Sequence, residues 1–227
     1  MKKLRLSVFL TIAFTFILQS ALTQQLGIRS GLNYAKLKFT GSADSDLKNA
    51  LMAYRQTTVY GGFLNFKIVP LVSLQIEGNY DPRGYKSEVP SYSGEGIFEG
   101  EEYFGIDYLT VPVLARVKLL VFYLEAGPYA GFLLKARHVQ TGTITIANNS
   151  GYETNNYFAE EDIKDEFINI DYGVIVGGGL SFKLGPVEIS GGARYNAGFA
   201  NILKENESLT EAKNSVMGVY AGLGLRF

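Results

Sequence analysis

Apolar and polar residues alternate with a period of two along much of this chain. The pattern is clearest from Val187 to Phe199, where Val187, Ile189, Gly191, Ala193, Tyr195, Ala197 and Phe199 interleave with Glu188, Ser190, Gly192, Arg194, Asn196 and Gly198. A period of two places the two sets on opposite faces of a β-strand. Met217 to Phe227 repeats the pattern, with Met217, Val219, Ala221, Leu223, Leu225 and Phe227 opposed to Gly218, Tyr220, Gly222, Gly224 and Arg226. Val72 to Asp81 does so again, with Ser73, Gln75, Glu77, Asn79 and Asp81 on the polar face. Leu26 to Phe39, Thr57 to Lys67, Gly105 to Lys118, Val121 to Lys135 and Phe167 to Lys183 carry the same alternation, so the chain is predicted to form eight antiparallel strands. Pro112 lies inside the fourth of them and has no N–H to give to a ladder, which predicts a bulge or an irregular ladder there.

The connections alternate in length. Val69-Pro70, Leu119-Leu120 and Leu184-Gly185-Pro186 are tight hairpin turns, whereas Gly41 to Gln56, Lys86 to Phe104, Arg137 to Glu166 and Ala200 to Asn214 are long and polar. Short turns at one rim and long loops at the other are the arrangement of outer-membrane barrels, with the long loops outside the cell. Aromatic residues on the apolar faces fall into two girdles. Phe66, Phe122, Phe182 and Phe227 lie beside the short turns, and Tyr34, Tyr60, Tyr80, Phe132, Tyr172 and Phe199 lie toward the long loops. The separation from Phe122 to Phe132, at a rise of ~3.3 Å and a tilt of ~40°, spans roughly 25 Å, the height of the apolar band in such barrels.

Composition sharpens this picture. The 227 residues suit one full-sized domain, and a formal net charge of -1 offers no field for nucleic acid. The absence of Cys excludes disulfides, thiolate metal sites and a lipidated N-terminal Cys. Lys2, Lys3 and Arg5 followed by the apolar stretch Leu6 to Leu18 read as an export signal, with Ala21 and Thr23 suiting cleavage before Gln24. Residues 1–23 are therefore expected to be a signal peptide and 24–227 a barrel domain. No later apolar run approaches the ~20 residues of a membrane helix, so the mature chain can cross a membrane only as strands.

An eight-stranded barrel is wide enough inside only for side chains. The inward set contains Arg29, Lys67, Glu77, Arg116, Glu125, Asp171, Glu188, Arg194 and Arg226, charges of both signs that must pair. Strand phase and hairpin position predict two lumenal ion pairs, Glu188 with Arg226 and Arg116 with Glu125. Catalytic chemistry finds little support. His138 is the only histidine and has no nucleophile motif to serve, which makes it a solvated rim residue. The acidic run Glu160, Glu161, Asp162, Asp165 and Glu166 has carboxylates for a hard cation but neither the spacing nor the turn glycine of a calcium loop. Gly177-Gly178-Gly179 lies inside an alternating strand and opens no helix, so it cradles no phosphate. No catalytic residue, metal site or cofactor is expected.

Several stretches resemble the PorT-like outer-membrane β-barrel family of Bacteroidota. They are Gly27-Ile28-Arg29-Ser30-Gly31-Leu32-Asn33, Tyr108-Leu109-Thr110-Val111-Pro112-Val113-Leu114, Gly127-Pro128-Tyr129, Gly177-Gly178-Gly179-Leu180, Arg194-Tyr195 and the terminal Phe227. The resemblance covers nearly all of the expected mature chain and lies in the order and spacing of short motifs. It implies an eight-stranded up-and-down transmembrane barrel in the outer membrane, with Phe227 similar to the terminal aromatic read by the barrel-insertion machinery, and it implies no catalytic residues. The expectation is a monomeric, non-enzymatic porin-like barrel with a filled lumen, in contact with outer-membrane lipid, whose loop 137–166 meets any surface partner. A rim enzyme, a narrow pore and a soluble lipocalin-like ligand-binding barrel are the alternatives.

Overall fold

The structure is a computed structural model that describes residues 24–41, 46, 49–50, 52–87, 92–93, 96–148, 151–204 and 211–227. The expected signal peptide, 1–23, lies outside the described residues. The strands are β1 (Gln24–Thr40), β2 (Met52–Val69), β3 (Val72–Ser87), β4 (Tyr92–Ser93), β5 (Gly96–Leu119), β6 (Phe122–Asn148), β7 (Gly151–Asp162), β8 (Ile170–Leu184), β9 (Val187–Gly198) and β10 (Glu211–Arg226). Eight of them, β1, β2, β3, β5, β6, β8, β9 and β10, form an antiparallel ring that the β5–β6 pairing completes. The seam between the first and last strands is continuous from Gln25↔Arg226 to Thr40↔Glu211. A closed ring has no edge, so no backbone donor or acceptor is left facing an apolar surround.

The two faces follow the period-two pattern. On β3, Gln75, Glu77, Asn79, Asp81 and Arg83 are buried inside the ring, while on β1 Leu26, Ile28, Leu32 and Tyr34 are exposed outside it. Polar inside and apolar outside is the reverse of a water-soluble barrel. Both aromatic girdles face outward: Phe122, Phe182 and Phe227 beside the short turns, and Tyr34, Tyr60, Phe132, Tyr172 and Phe199 toward the other rim. Phe66 and Tyr80 are half-buried.

Pro112 causes no bulge. Its ladder with β3 is interrupted between Ile76↔Val113 and Asn79↔Thr110 without loss of register, and it pairs directly with Tyr129 on β6. The register shift on this seam lies between Asp107 and Tyr108, where β6 carries one extra residue, Leu134. Beyond that shift β5 and β6 continue as far as Ile97↔Thr145, and β7 pairs with β6 from Arg137↔Asp162 to Asn148↔Gly151. The segment 137–166, expected as a long polar loop, is thus mostly a regular β-blade standing off the rim. The β-branched run Thr141, Thr143, Ile144, Thr145 and Ile146 explains it, because such side chains favour a pleated surface.

Phe167 was expected to begin the sixth strand, but β8 starts at Ile170 and Phe167 instead bridges Leu203. Together with Ile163 and Ile202 it folds over the long-loop mouth against Leu37, Ile106, Tyr108 and Leu133, giving an apolar cap. Backbone hydrogen bonds Ile168 N to Ile202 O (2.8 Å) and Lys204 N to Glu166 O (2.9 Å) hold the cap together.

Gly84 lies toward the long-loop end of β3, opposite Gly105 of β5. Its φ is +120°, and a Cβ there would lie 1.8 Å from the Phe104 backbone oxygen. Gly84→Ala combines left-handed strain with a clash that parts β3 from β5. It is expected to destabilise the barrel by about 2–3 kcal/mol, read from urea unfolding in detergent micelles.

Candidate functional site

The lumen holds two layers of paired charge. In the layer nearer the short turns, Glu77 accepts from Arg29 Nη1 (2.7 Å) and from Arg194 Nη1 and Nη2 (2.8 and 2.7 Å). Glu125 accepts from Arg116 Nη2 (2.8 Å), from Arg194 Nε and from the Tyr220 hydroxyl (2.6 Å). Three guanidiniums thus alternate with two carboxylates across the barrel. The cations also stack on rings, Arg29 and Arg194 over Tyr220 at 4.1 and 4.5 Å and Arg116 over Tyr123 at 4.3 Å. Glycine makes room for this. Gly179 and Gly192 face each other on β8 and β9, and a Cβ on either would meet the Tyr123 hydroxyl at 2.7 or 2.6 Å. With both side chains absent, Tyr123 reaches across to Tyr220, hydroxyl to hydroxyl at 2.7 Å.

In the layer nearer the cap, Arg83 is fully buried and donates Nε and Nη2 to Asp81 (3.0 and 2.7 Å) and Nη1 to Asp171 (2.7 Å). Asn33 donates to Asp81 (2.8 Å), and the Tyr129 hydroxyl and Asn214 amide donate to Asp171 (2.9 and 3.1 Å). One guanidinium here serves two carboxylates, so the two layers together balance. The gap between them is a cavity of ≈ 20 Å³, room for about one water molecule.

Of the four residues expected as lumenal pairs, Arg116 and Glu125 stand opposite each other across the β5–β6 hairpin and bond as described. Glu188 and Arg226 share the inner face but are not each other's partners. Glu188 pairs with Lys118 at 3.1 Å, and Arg226 Nη2 donates to the Gly185 carbonyl at 2.7 Å. Arg226 is drawn to a turn carbonyl at its own rim, while Lys118 reaches Glu188 from across the narrow lumen. Arg83 was missing from the inward set because Pro82 obscured the end of its strand, yet its parity continues that of Glu77 and Asp81. The apolar residues Ile163 and Ile202, set in polar loops, were the sequence trace of the cap.

At the base of the blade, rings from four strands form a ladder. Phe39 meets Tyr85 edge-on (6.2 Å), Tyr85 stacks on Phe104 (4.7 Å), and Phe104 stacks on His138 (4.3 Å). Burial, with Glu102 and Glu166 nearby, pushes the Tyr85 hydroxyl well above the ordinary tyrosine range. His138 Nε2 lies 2.6 Å from Glu102 Oε1, which also accepts from Gln140 (3.1 Å). Among the described residues no serine or threonine hydroxyl bonds to His138. On the outer face the buried Asp107 accepts from the Tyr80 hydroxyl (2.8 Å) and lies 3.6 Å from Arg137, which also reaches Glu160 on β7 (3.4 Å). This carboxylate ties the girdle to the blade. Among the described residues no group of three or more His, Cys, Asp or Glu side chains is placed to hold a metal ion, the acidic run at 160–166 included.

The family model for the outer membrane protein beta-barrel domain matches residues 19–204. A search of curated protein sequences returns no match. Among solved structures, this chain is similar to Ail, the attachment invasion locus protein of Yersinia pestis, in complex with the heparin analogue sucrose octasulfate. The identity is 12%, covering 90% of this chain and 99% of that one, at a TM-score of 0.41. CarO of Acinetobacter baumannii is 13% identical, covering 87% of this chain and 97% of its own, at a TM-score of 0.39. Neisserial surface protein A is 12% identical, covering 89% and 97%, at a TM-score of 0.37.

Proposed function

Because the chain belongs to the outer membrane protein beta-barrel domain family, we propose that its specific role is to hold a rigid β-blade above the outer leaflet for contact with a surface partner, without enzymatic activity. It is an integral barrel of the bacterial outer membrane. The observation that carries the proposal is the contrast between its two parts. The lumen is filled by two layers of bonded charge under an apolar cap, so it offers a solute no path, while β5, β6 and β7 project from the long-loop rim, which in such barrels faces outside the cell. The blade exposes Tyr152 and Phe158, large rings of the kind enriched where proteins meet. Within the family we place the chain among PorT-like barrels of Bacteroidota, exported with residues 1–23 as a cleaved signal; the motifs around Pro112 and the basic-then-apolar start support this.

Planar bilayers containing the mature protein are expected to show no stepwise conductance above that of lipid alone. Replacing 140–159 with an Asn-Gly turn is expected to leave heat-modifiable gel migration intact, since no removed residue belongs to either lumenal layer. Regular channel openings from the intact protein would sink the closed-lumen reading.

A further inference from the structure

Charge is balanced through the depth of the lumen but not at its short-turn mouth. Lys67 on β2, Lys118 on β5, Lys183 on β8 and Arg226 on β10 line a cavity of ≈ 90 Å³ there, and Glu188 is the carboxylate among its lining residues. Arg116 also reaches the cavity but is spent on Glu125. Glu188 is taken by Lys118 at 3.1 Å, although Lys183 stands directly opposite it in the β8–β9 register. Arg226 spends one nitrogen on the Gly185 carbonyl, and its buried Nε has no hydrogen-bond partner. The ammonium groups of Lys67 and Lys183 make no hydrogen bond or ion pair with any described residue. Three positive charges therefore converge on one small concavity without a counter-charge, in a protein whose deeper cations are each held by a carboxylate. Lys67 and Lys183 are exposed, so water screens part of that repulsion, but a concavity lined by one sign of charge still raises the local concentration of anions.

We propose that this mouth binds a phosphate group. Inorganic phosphate, close to doubly charged at neutral pH, matches the uncompensated charge better than a single carboxylate, fits the volume and has an oxygen for each cation, whereas the diester of a phospholipid headgroup carries one charge on two free oxygens and engages the same cations less completely. The surrounding turns carry exposed Leu71, Leu119, Leu120 and Leu184, which seat the mouth at the surface of the periplasmic leaflet. The phosphate comes from solution or from a phospholipid headgroup beside this rim.

The test uses the refolded mature protein in octyl glucoside, in buffer free of phosphate and sulfate. One arm titrates inorganic phosphate, followed by calorimetry and phosphorus NMR, and the other compares micelles containing phosphatidylglycerol with micelles containing diacylglycerol. Saturable binding of one phosphate group per barrel is expected, weakened roughly tenfold or more by Lys67→Ala with Lys183→Ala. Lys36→Ala with Lys38→Ala, at the opposite rim, is expected to leave it unchanged. Heat-modifiable migration checks that each variant is folded, and the free lysines can be removed without breaking any bond in the barrel. Binding of inorganic phosphate assigns a soluble ligand, and a response to phosphatidylglycerol alone assigns a lipid headgroup. Absence of saturable binding in both arms, or equal binding by the Lys67/Lys183 variant, overturns the proposal.

Discussion

Arg83→Met is expected to destabilise the barrel by about 3–5 kcal/mol, the cost of breaking a buried ionic network by removing one partner. Methionine approximates the volume and removes the charge, so Asp81 and Asp171 lose the one guanidinium that serves both, in a place with almost no access to water. Asn33, Asn214 and Tyr129 still donate to them but carry no charge to offset theirs. Urea unfolding of protein in phospholipid vesicles measures the loss. The triple variant Arg83→Met, Asp81→Asn, Asp171→Asn is expected to recover most of it, because a neutral network of similar shape has no charge to desolvate. Failure of the triple variant to recover would mean that Arg83 acts through packing against Tyr108 and Tyr129 rather than through its charge.

The lower layer makes the opposite demand. Its three guanidiniums share two carboxylates, so losing an anion is worse than losing a cation. Glu77→Gln leaves Arg29 without a carboxylate and Arg116 and Arg194 sharing Glu125, and is expected to cost about 3–5 kcal/mol. Arg194→Met leaves Arg29 with Glu77 and Arg116 with Glu125, two matched pairs, and should cost clearly less. The order of the two unfolding midpoints decides the matter. If Arg194→Met proves the more harmful, the bridging geometry outweighs the count of charges.

These expectations rest on residues that the sequence exposes to different degrees. Glu77, Arg116, Glu125, Asp171 and Arg194 are recognisable as inward-facing because each lies in phase with the polar face of its strand, and phase is a local property of extended backbone. Arg83 escapes because Pro82 resembles a strand end, although in an antiparallel strand a proline interrupts one hydrogen bond without changing the parity. The blade escapes because a polar β-hairpin and a polar loop share their composition, and only the β-branched run from Thr141 to Ile146 separates them. The cap escapes for a different reason. Ile163, Phe167 and Ile202 lie far apart from Leu37 and Ile106 in the chain and meet only when the ring has closed beneath them.

By itself the sequence determined the eight strands, their inner and outer faces, the two aromatic girdles and the distinction between short-turn and long-loop rims. All of these follow from a period of two and from turn chemistry, which act between near neighbours. It also placed Arg116 opposite Glu125, since a tight hairpin sets the register of the residues that flank it. Which charges pair across the lumen was decided only by the tertiary structure. Lys118 takes Glu188 from a strand that is not its neighbour in the ring, Arg83 spans from β3 to β8, and Arg194 joins β9 to both β3 and β6. In a barrel this narrow, side chains from opposite walls are as close as those from adjacent strands, so the partner is set by closure of the ring and the lean of each strand, and neither is written in any single segment.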